Sequence, residues 1–296
     1  MSEVLKGFLE DNRIIDRVKF EDYLSVYFDV RPASFFTIIA ELPNAEELGA
    51  KIDSECKDDL MVILSTRDIQ LRGQLIMDLR HKIEKLFKRY VLDSDIFKAH
   101  VDWAKKLGLR VDMDRVRPSI CEVYLFKDKN IGKRLKDLFY VRREIRKAIY
   151  QMPNISLPPS LLTYPEELSS KFVSELGHIL GYPECCIKRY SEERASGIYV
   201  EGRISEQIKN LRNAGDKPNI FSFFSSNFIP HDPKCEKAGE LGYKLYEILR
   251  DKLPGLHERY YKLLEENVST AENFPEIIKS YRQRVDSRAK DLIMHL

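Results

Sequence analysis

The stretch "YQMPNISLPPSLLTYPEE", residues 150–167, limits the fold of this chain more than any other segment. It holds four prolines, Pro153, Pro158, Pro159 and Pro165, and few charges. Proline lacks the backbone N–H and keeps the residue before it out of helical geometry, so neither a long helix nor a central strand passes through. The segment reads as an extended connector, and it divides the 296 residues into an N-terminal domain, 1–152, and a C-terminal domain, 153–296.

The two parts differ in periodicity. In the first, "EDYLSVYFDV" alternates Leu24, Val26, Phe28 and Val30, a strand pattern. "SFFTIIAEL" fits a strand or a helix, and the apolar run "DLMVILST" reads as a buried strand. Leu75, Leu79, Ile83, Leu86 and Tyr90 share one helical face, "SICEVYLF" is a strand candidate, and Leu135, Leu138, Ile145 and Ile149 mark a second helix. Beyond the connector, helical spacing dominates. Leu168, Phe172, Leu176 and Ile179 form a helix opened by Pro165, and Leu256, Tyr260, Leu263 and Leu264 form another. Ile278, Tyr281, Val285, Leu292 and Leu296 form a third behind Pro275. The expected fold class is an α+β N-terminal region with a small sheet, followed by an all-α C-terminal domain, mainly helical overall.

The charge balance, 49 basic against 47 acidic residues, carries no global signature of nucleic-acid binding. No apolar run is long enough to span a bilayer, so no membrane partner is expected. The N-terminus is charged within a few residues and lacks an apolar signal core, which points to a cytoplasmic location. Five cysteines at uneven spacing do not suggest a disulfide framework.

Two stretches place cysteine at expected helix starts. In "LGYPECCIKRY", Gly181 ends one helix and Pro183 suits the first position of the next. Glu184 then sits in the first turn, with Cys185 and Cys186 at about the third and fourth positions, where the helix dipole favours thiolate. In "FIPHDPKCEKAGELG", Asp232 suits an N-cap, Pro233 the first helical position, and Cys235 about the third, with His231 just outside. Thiolates and imidazole are the preferred ligands of zinc, and thiolates also hold iron–sulfur clusters. Cys185, Cys186, His231 and Cys235 are therefore the candidate metal ligands, with zinc the expected ion and an iron–sulfur cluster the alternative. An arrangement with three ligands and one packed cysteine stays open. So does a metal-free site in which Cys185 or Cys235 is a nucleophile and His231 its base. Cys56 and Cys121 read as packed residues. His178 reads as solvated, and His81, His100, His257 and His295 as surface residues.

These two stretches together resemble the signature of an uncharacterised prokaryotic family, domain of unknown function 483, over roughly residues 165–250. The resemblance implies that Gly181, Tyr182, Pro183, Cys185, Cys186, Pro230, His231, Pro233 and Cys235 form the site. Relatives in that family carry a further cysteine in the second motif. Here that position falls in "HDPK", which favours a mixed cysteine and histidine site over a four-sulfur one. The family brings no activity with it.

Two further segments offer sites. The aromatic "FSFFSSNFIP" suits the wall of a pocket, with Ser225, Ser226 and Asn227 as polar groups. Tyr182, and Glu184 or Asp232, would stand just behind the metal ligands. Residues 127–147 carry nine basic side chains against three acidic. Arg142, Arg143, Arg146 and Lys147 are accordingly the candidate nucleic-acid contacts, although a solvated helix face explains them as well. The function expected is a cytoplasmic protein with a cysteine and histidine site, acting on a small-molecule or nucleic-acid partner, with a metal-dependent enzyme as one form of it.

Overall fold

The computed structural model describes residues 3–150 and 164–280, together with Gln283. Helix α1 (Glu3–Glu10) leads into a continuous helical stretch, α2, made of Asp16–Val18, a π-type segment Lys19–Leu24, and Ser25–Tyr27. Strand β1 (Ala33–Ile38) follows, then the hairpin helices α3 (Ala45–Ser65) and α4 (Ile69–Phe87), then α5 (Asp95–Lys106). Strands β2 (Arg110–Arg117) and β3 (Ile120–Phe126) precede the long helix α6 (Lys129–Tyr150). The C-terminal region holds α7 (Ser170–Ile179), α8 (Glu184–Ala195), α9 (Val200–Asn213), α10 (Glu236–Lys252) and α11 (Leu256–Glu272). The chain is thus mainly helical, with one small sheet in its first half, as its periodicities predict.

The sheet is antiparallel, in the order β1-β3-β2, with Phe36 opposite Val123 on one side and Met113 opposite Val123 on the other. The central strand β3 is buried on both faces because side chains alternate across it. Cys121, Val123 and Leu125 pack with Phe8, Tyr23 and Phe36 from the N-terminal helices and β1. Tyr124 and Phe126 pack with Leu135 and Leu138 of α6 and Phe172 of α7. Each such side chain, fully removed from water, contributes about 1.5–3 kcal/mol. Cys186, Phe228, Cys235 and Leu264 belong to the same buried cluster as Phe8 and Val123.

Several local expectations are corrected. "EDYLSVYFDV" is helical through Tyr27, not a strand. Every residue from Lys19 to Val26 is buried, so the period-2 pattern there selects no face. Glu21, inside this stretch, accepts hydrogen bonds from Asn267 Nδ2 (2.8 Å) and the Ser226 N–H (2.7 Å), which join α2 to the C-terminal region. "DLMVILST" is the end of helix α3. Its inward residues Leu48, Ile52, Cys56 and Ile63 recur at helical spacing, while Val62 and Leu64 face solvent. Pro165 opens a 3-10 turn, Pro165–Leu168, and Ser169 caps α7 instead by accepting from the Phe172 N–H. The edge strand β2 is missed by the sequence reading because its exposed residues interrupt the apolar alternation. Pro153, Pro158, Pro159, Tyr281, Val285, Leu292, Leu296 and His295 lie outside the described residues; Ile278 falls in a helical segment, 274–280.

His100 is not a surface residue. It is 1% exposed, its ring 4.8 Å from that of Phe36, and Tyr23 donates its hydroxyl to the His100 carbonyl at 2.8 Å. The charged imidazole is excluded because burial lowers its pKa from the ordinary 6.5 to about 4. Below pH 6.5 the unfolded chain therefore takes up a proton that the fold refuses until about pH 4. Stability should fall by up to about 3 kcal/mol as pH drops through that window. Urea unfolding of His100→Gln should lose this part of the pH slope while the native chain keeps it; equal slopes in the two would contradict the assignment.

Candidate metal centre

Gly181 ends α7 with φ +70°, the left-handed conformation that releases the chain into the Tyr182–Pro183 turn. A Cβ added there would lie 2.4 Å from Pro32 Cδ, so both conformation and close approach require glycine. Arg31, beside that proline, is buried and donates Nε to the Leu180 carbonyl at 3.1 Å. Its guanidinium stacks 5.1 Å from the Tyr182 ring centre. The β1 approach thus fixes the exit angle of α7, and with it the start of α8.

Both helix starts sit one or more residues later than their prolines predict. Pro183 itself is the N-cap of α8 in extended geometry, which puts Cys185 and Cys186 at the second and third helical positions. Pro233 and Lys234 form a turn closed by the Cys235 N–H on the Asp232 carbonyl (3.0 Å) and the Lys234 N–H on Asp232 Oδ1 (2.7 Å). Cys235 is then the N-cap of α10. Asp232 caps the turn rather than the helix, because its short side chain reaches the N–H two residues on.

The two starts meet. Cys185 Sγ lies 3.8 Å and Cys186 Sγ 3.6 Å from Cys235 Sγ, and Cys186 Sγ lies 3.3 Å from His231 Nδ1. All four donor atoms fall within 4.8 Å of one another. The sulfurs are free thiols, far beyond the ~2.05 Å of a disulfide bond. A tetrahedral ion about 2.3 Å from each sulfur sets S···S edges of about 3.8 Å, so the donors fit a single ion. A multi-iron cluster fits less well, because it divides its protein ligands among two or more irons and so spreads them wider than the single tetrahedron these four donors match. The electrostatics agree with a crowded ligand set. Hydrogen bonding from Cys186, the Ala238 N–H and nearby His231 lower the Cys235 thiol to about 5 against the cost of burial. Cys186 is pushed far up by its hydrogen bond to Cys235 and by burial, and burial followed by the charge of Cys235 raises Cys185.

Residues that sequence reasoning missed hold the histidine loop. Arg203 of α9 donates Nη1 to the carbonyls of Pro230 and His231, both at 3.0 Å. Glu193, 2% exposed, anchors Arg203 at 3.2 Å and Arg189 at 2.6 Å. Ser222 donates its hydroxyl to the Cys235 carbonyl at 2.8 Å. Only the Arg189–Glu193 spacing of four was visible in the sequence; the other partners come from distant segments.

The remaining candidates divide. Glu184 is exposed and accepts from His178 Nε2 at 2.7 Å, so its carboxylate is engaged by a solvated histidine. Tyr182 donates its hydroxyl to the Asn227 carbonyl (3.2 Å) and packs 4.7 Å from Phe228. Asn227 Nδ2 reaches the Phe35 carbonyl at 3.2 Å, and Ser225 Oγ accepts from the Asn227 N–H at 3.3 Å. Ser226, Asn227, Tyr182 and Cys186 help line a cavity of about 520 Å³, with Phe172, Leu176 and Ile187 on its apolar wall. Arg142 and Arg194, with Glu122, Glu166, Glu167 and Glu201, line it as well. Arg142 is 3% exposed and pairs with Asp114 (2.9 Å), Glu122 (2.7 Å) and Glu166 (2.9 Å). Arg146 pairs with Glu166 at 2.7 Å and is buried as well. Of the four proposed nucleic-acid contacts only Arg143 and Lys147 face solvent. The apolar seam of α6 points at the sheet, and these two arginines share it. Among the described residues, no helix is long and apolar enough to cross a membrane.

An uncharacterized protein of Methanocaldococcus jannaschii is 26% identical, the match covering 64% of this chain and 97% of that protein. An uncharacterized protein of Methanothermobacter thermautotrophicus is 30% identical over 31% of this chain and 56% of its own length. No solved structure gives a significant match. The sequence profile of the family described as "Protein of unknown function (DUF483)" matches residues 112–266, a span that contains all four clustered donors and the residues that brace them. The chain belongs to the family of proteins of unknown function DUF483.

Proposed function

We propose that this chain is a zinc protein, in which Cys185, Cys186, His231 and Cys235 hold one ion and lock the starts of α8 and α10 together. The observation that carries the reading is the donor set itself: three sulfurs and a ring nitrogen, all within 4.8 Å. Four protein ligands complete a tetrahedron, the arrangement of structural zinc sites, which spend no position on water or substrate. The ion would brace the wall that Cys186 contributes to the 520 Å³ cavity, and that cavity is the place for a small-molecule partner. The thiols must stay reduced, in keeping with the cytoplasmic location expected from the sequence.

Loading must displace protons from Cys185 and Cys186, both of which hold them more tightly than an ordinary thiol. Apparent affinity should therefore rise with pH, by at least about tenfold per unit. Competition against a chromophoric chelator at pH 6 and pH 8 measures this; a pH-independent affinity would contradict thiolate ligation. Arg203→Met should weaken zinc affinity by about 10–100-fold through loss of the His231 loop anchor, with all four ligands intact. Affinity unchanged in that variant would remove Arg203 from the account.

The metal-free reading draws on one observation, the Cys235 thiol held at about 5. Yet Cys235 is only 5% exposed, so its sulfur offers little access to an electrophile. Alkylation separates the readings: a nucleophilic Cys235 reacts quickly near neutral pH, whereas a zinc ligand is protected until a chelator removes the ion.

A further inference from the structure

Around the cavity of about 520 Å³, enclosed charge does not balance. The carboxylates of Glu122, Glu166, Glu167 and Glu201 line it, against the guanidinium groups of Arg142 and Arg194. Behind this wall, Asp114 pairs with Arg142 and Arg146 pairs with Glu166, which adds one charge of each sign. Arg143 meets Asp114 only at 3.9 Å, from an exposed side chain. The enclosed set is therefore five carboxylates against three guanidinium groups, a net of −2. Part of the shortfall lies at Arg194, which alone serves both Glu167 (3.0 Å) and Glu201 (2.6 Å). Burial pushes the Glu167 carboxyl up to about 7 in spite of that arginine. Tyr190 donates its hydroxyl to Glu167 at 3.1 Å, which adds a hydrogen bond but no charge.

Much of the remaining wall is apolar, with Phe172, Leu176, Ile187 and Phe274 among its members. The Arg142 guanidinium lies 5.2 Å from the Phe172 ring centre and that of Arg194 lies 4.9 Å from the Tyr190 ring centre, so aromatic faces here already hold cations. A carboxylate short of counter-charge in water-poor surroundings is costly; a ligand cation relieves that cost and an anion adds to it. Both arginines of the wall are engaged by carboxylates, so neither is left to grip a phosphate. Among the described residues, only the cysteine and histidine cluster brings three or more metal-binding groups together, so these carboxylates are too dispersed for a bare metal ion. We infer that the cavity binds an organic ammonium ion, an apolar body carrying a protonated amine, with Glu167 and Glu201 as its counter-charges. This rests on the reading of the cavity as a small-molecule site and adds the class of molecule.

Isothermal titration calorimetry of the full chain tests it with three probes of one shape: 4-phenylbutylamine, its neutral counterpart 4-phenylbutanol and its anionic counterpart 4-phenylbutanoate. The amine should bind at least about tenfold more tightly than the alcohol, and the acid more weakly than either. Glu167→Gln keeps the size of the side chain and removes its charge. It should weaken amine binding about tenfold or more and leave alcohol binding unchanged, which also shows that the variant keeps the cavity. Glu201→Gln is the second variant, with the same expectation. Alcohol or acid binding as tightly as the amine would overturn this inference and leave the cavity a small-molecule site. Failure of all three probes to bind would overturn both readings. Amine binding unweakened in both variants would overturn the assignment of Glu167 and Glu201.

Discussion

Replacing Cys235 with serine should strip the centre of metal and lower the unfolding temperature by on the order of 10 °C. Cys235 is the hub of the site: its sulfur lies 3.8 Å from that of Cys185 and 3.6 Å from that of Cys186, and it caps α10. Its loss opens the tetrahedron and leaves Cys185, Cys186 and His231 facing a hydroxyl that binds zinc poorly. A structural zinc ion contributes its binding free energy to folding, about 10–16 kcal/mol in small peptides, of which a chain with a large core forfeits a smaller part. Two controls keep the result interpretable. His178→Ala, at an exposed residue beside the site, should retain both metal and stability. A strong chelator should destabilise the native chain to the level of the variant and leave the variant unchanged. If Cys235→Ser keeps its metal, or chelation leaves native stability intact, the four-ligand account is wrong.

The second large effect is expected at Arg142. Replacing it with alanine should cost about 3–5 kcal/mol or more, enough to leave much of the chain unfolded at moderate temperature. The guanidinium lies between Asp114, Glu122 and Glu166, all of them buried, and Arg146 pairs with Glu166 as well. Deleting Arg142 leaves three carboxylates crowded in a water-poor space. Burial already pushes the Asp114 carboxyl up despite the arginine beside it, so that group should become protonated in the variant. Arg142→Lys should recover only part of the loss, because an ammonium lacks the planar fork that serves several carboxylates at once. Thermal unfolding of the two variants decides the point: native stability in Arg142→Ala would mean that the cluster relaxes freely and that the basic helix is a surface feature after all.

That arginine shows where sequence reading runs out. The helix holding it is legible, since Leu135, Leu138 and Ile145 recur at helical spacing, but its charge count is blind to direction. Arg142 and Arg146 share the inward side with those residues, and the acids that neutralise them sit on other elements. The cysteine site was legible for a different reason. Proline and glycine impose their geometry locally, so the helix breaks at Gly181 and before Cys235 follow from the residues themselves. Their exact registers do not: the side chain of Asp232 and the extended backbone at Pro183 shift each start. Nor does the meeting of the two motifs, which depends on how α8, α9 and the aromatic loop between them fold the chain back. Strand readings failed where burial is total, as in Lys19–Leu24, and where an apolar run ends an otherwise polar helix, as in α3. Periodicity reports a face only when one side of an element is wet.

Elemental analysis of the chain, purified without a metal-affinity tag or chelator, tests the central claim most directly. The account predicts about one equivalent of zinc per chain, lost together with the Cys235 thiolate. A folded protein holding less than about a tenth of an equivalent of any transition metal, and unable to take up zinc on titration, would contradict it.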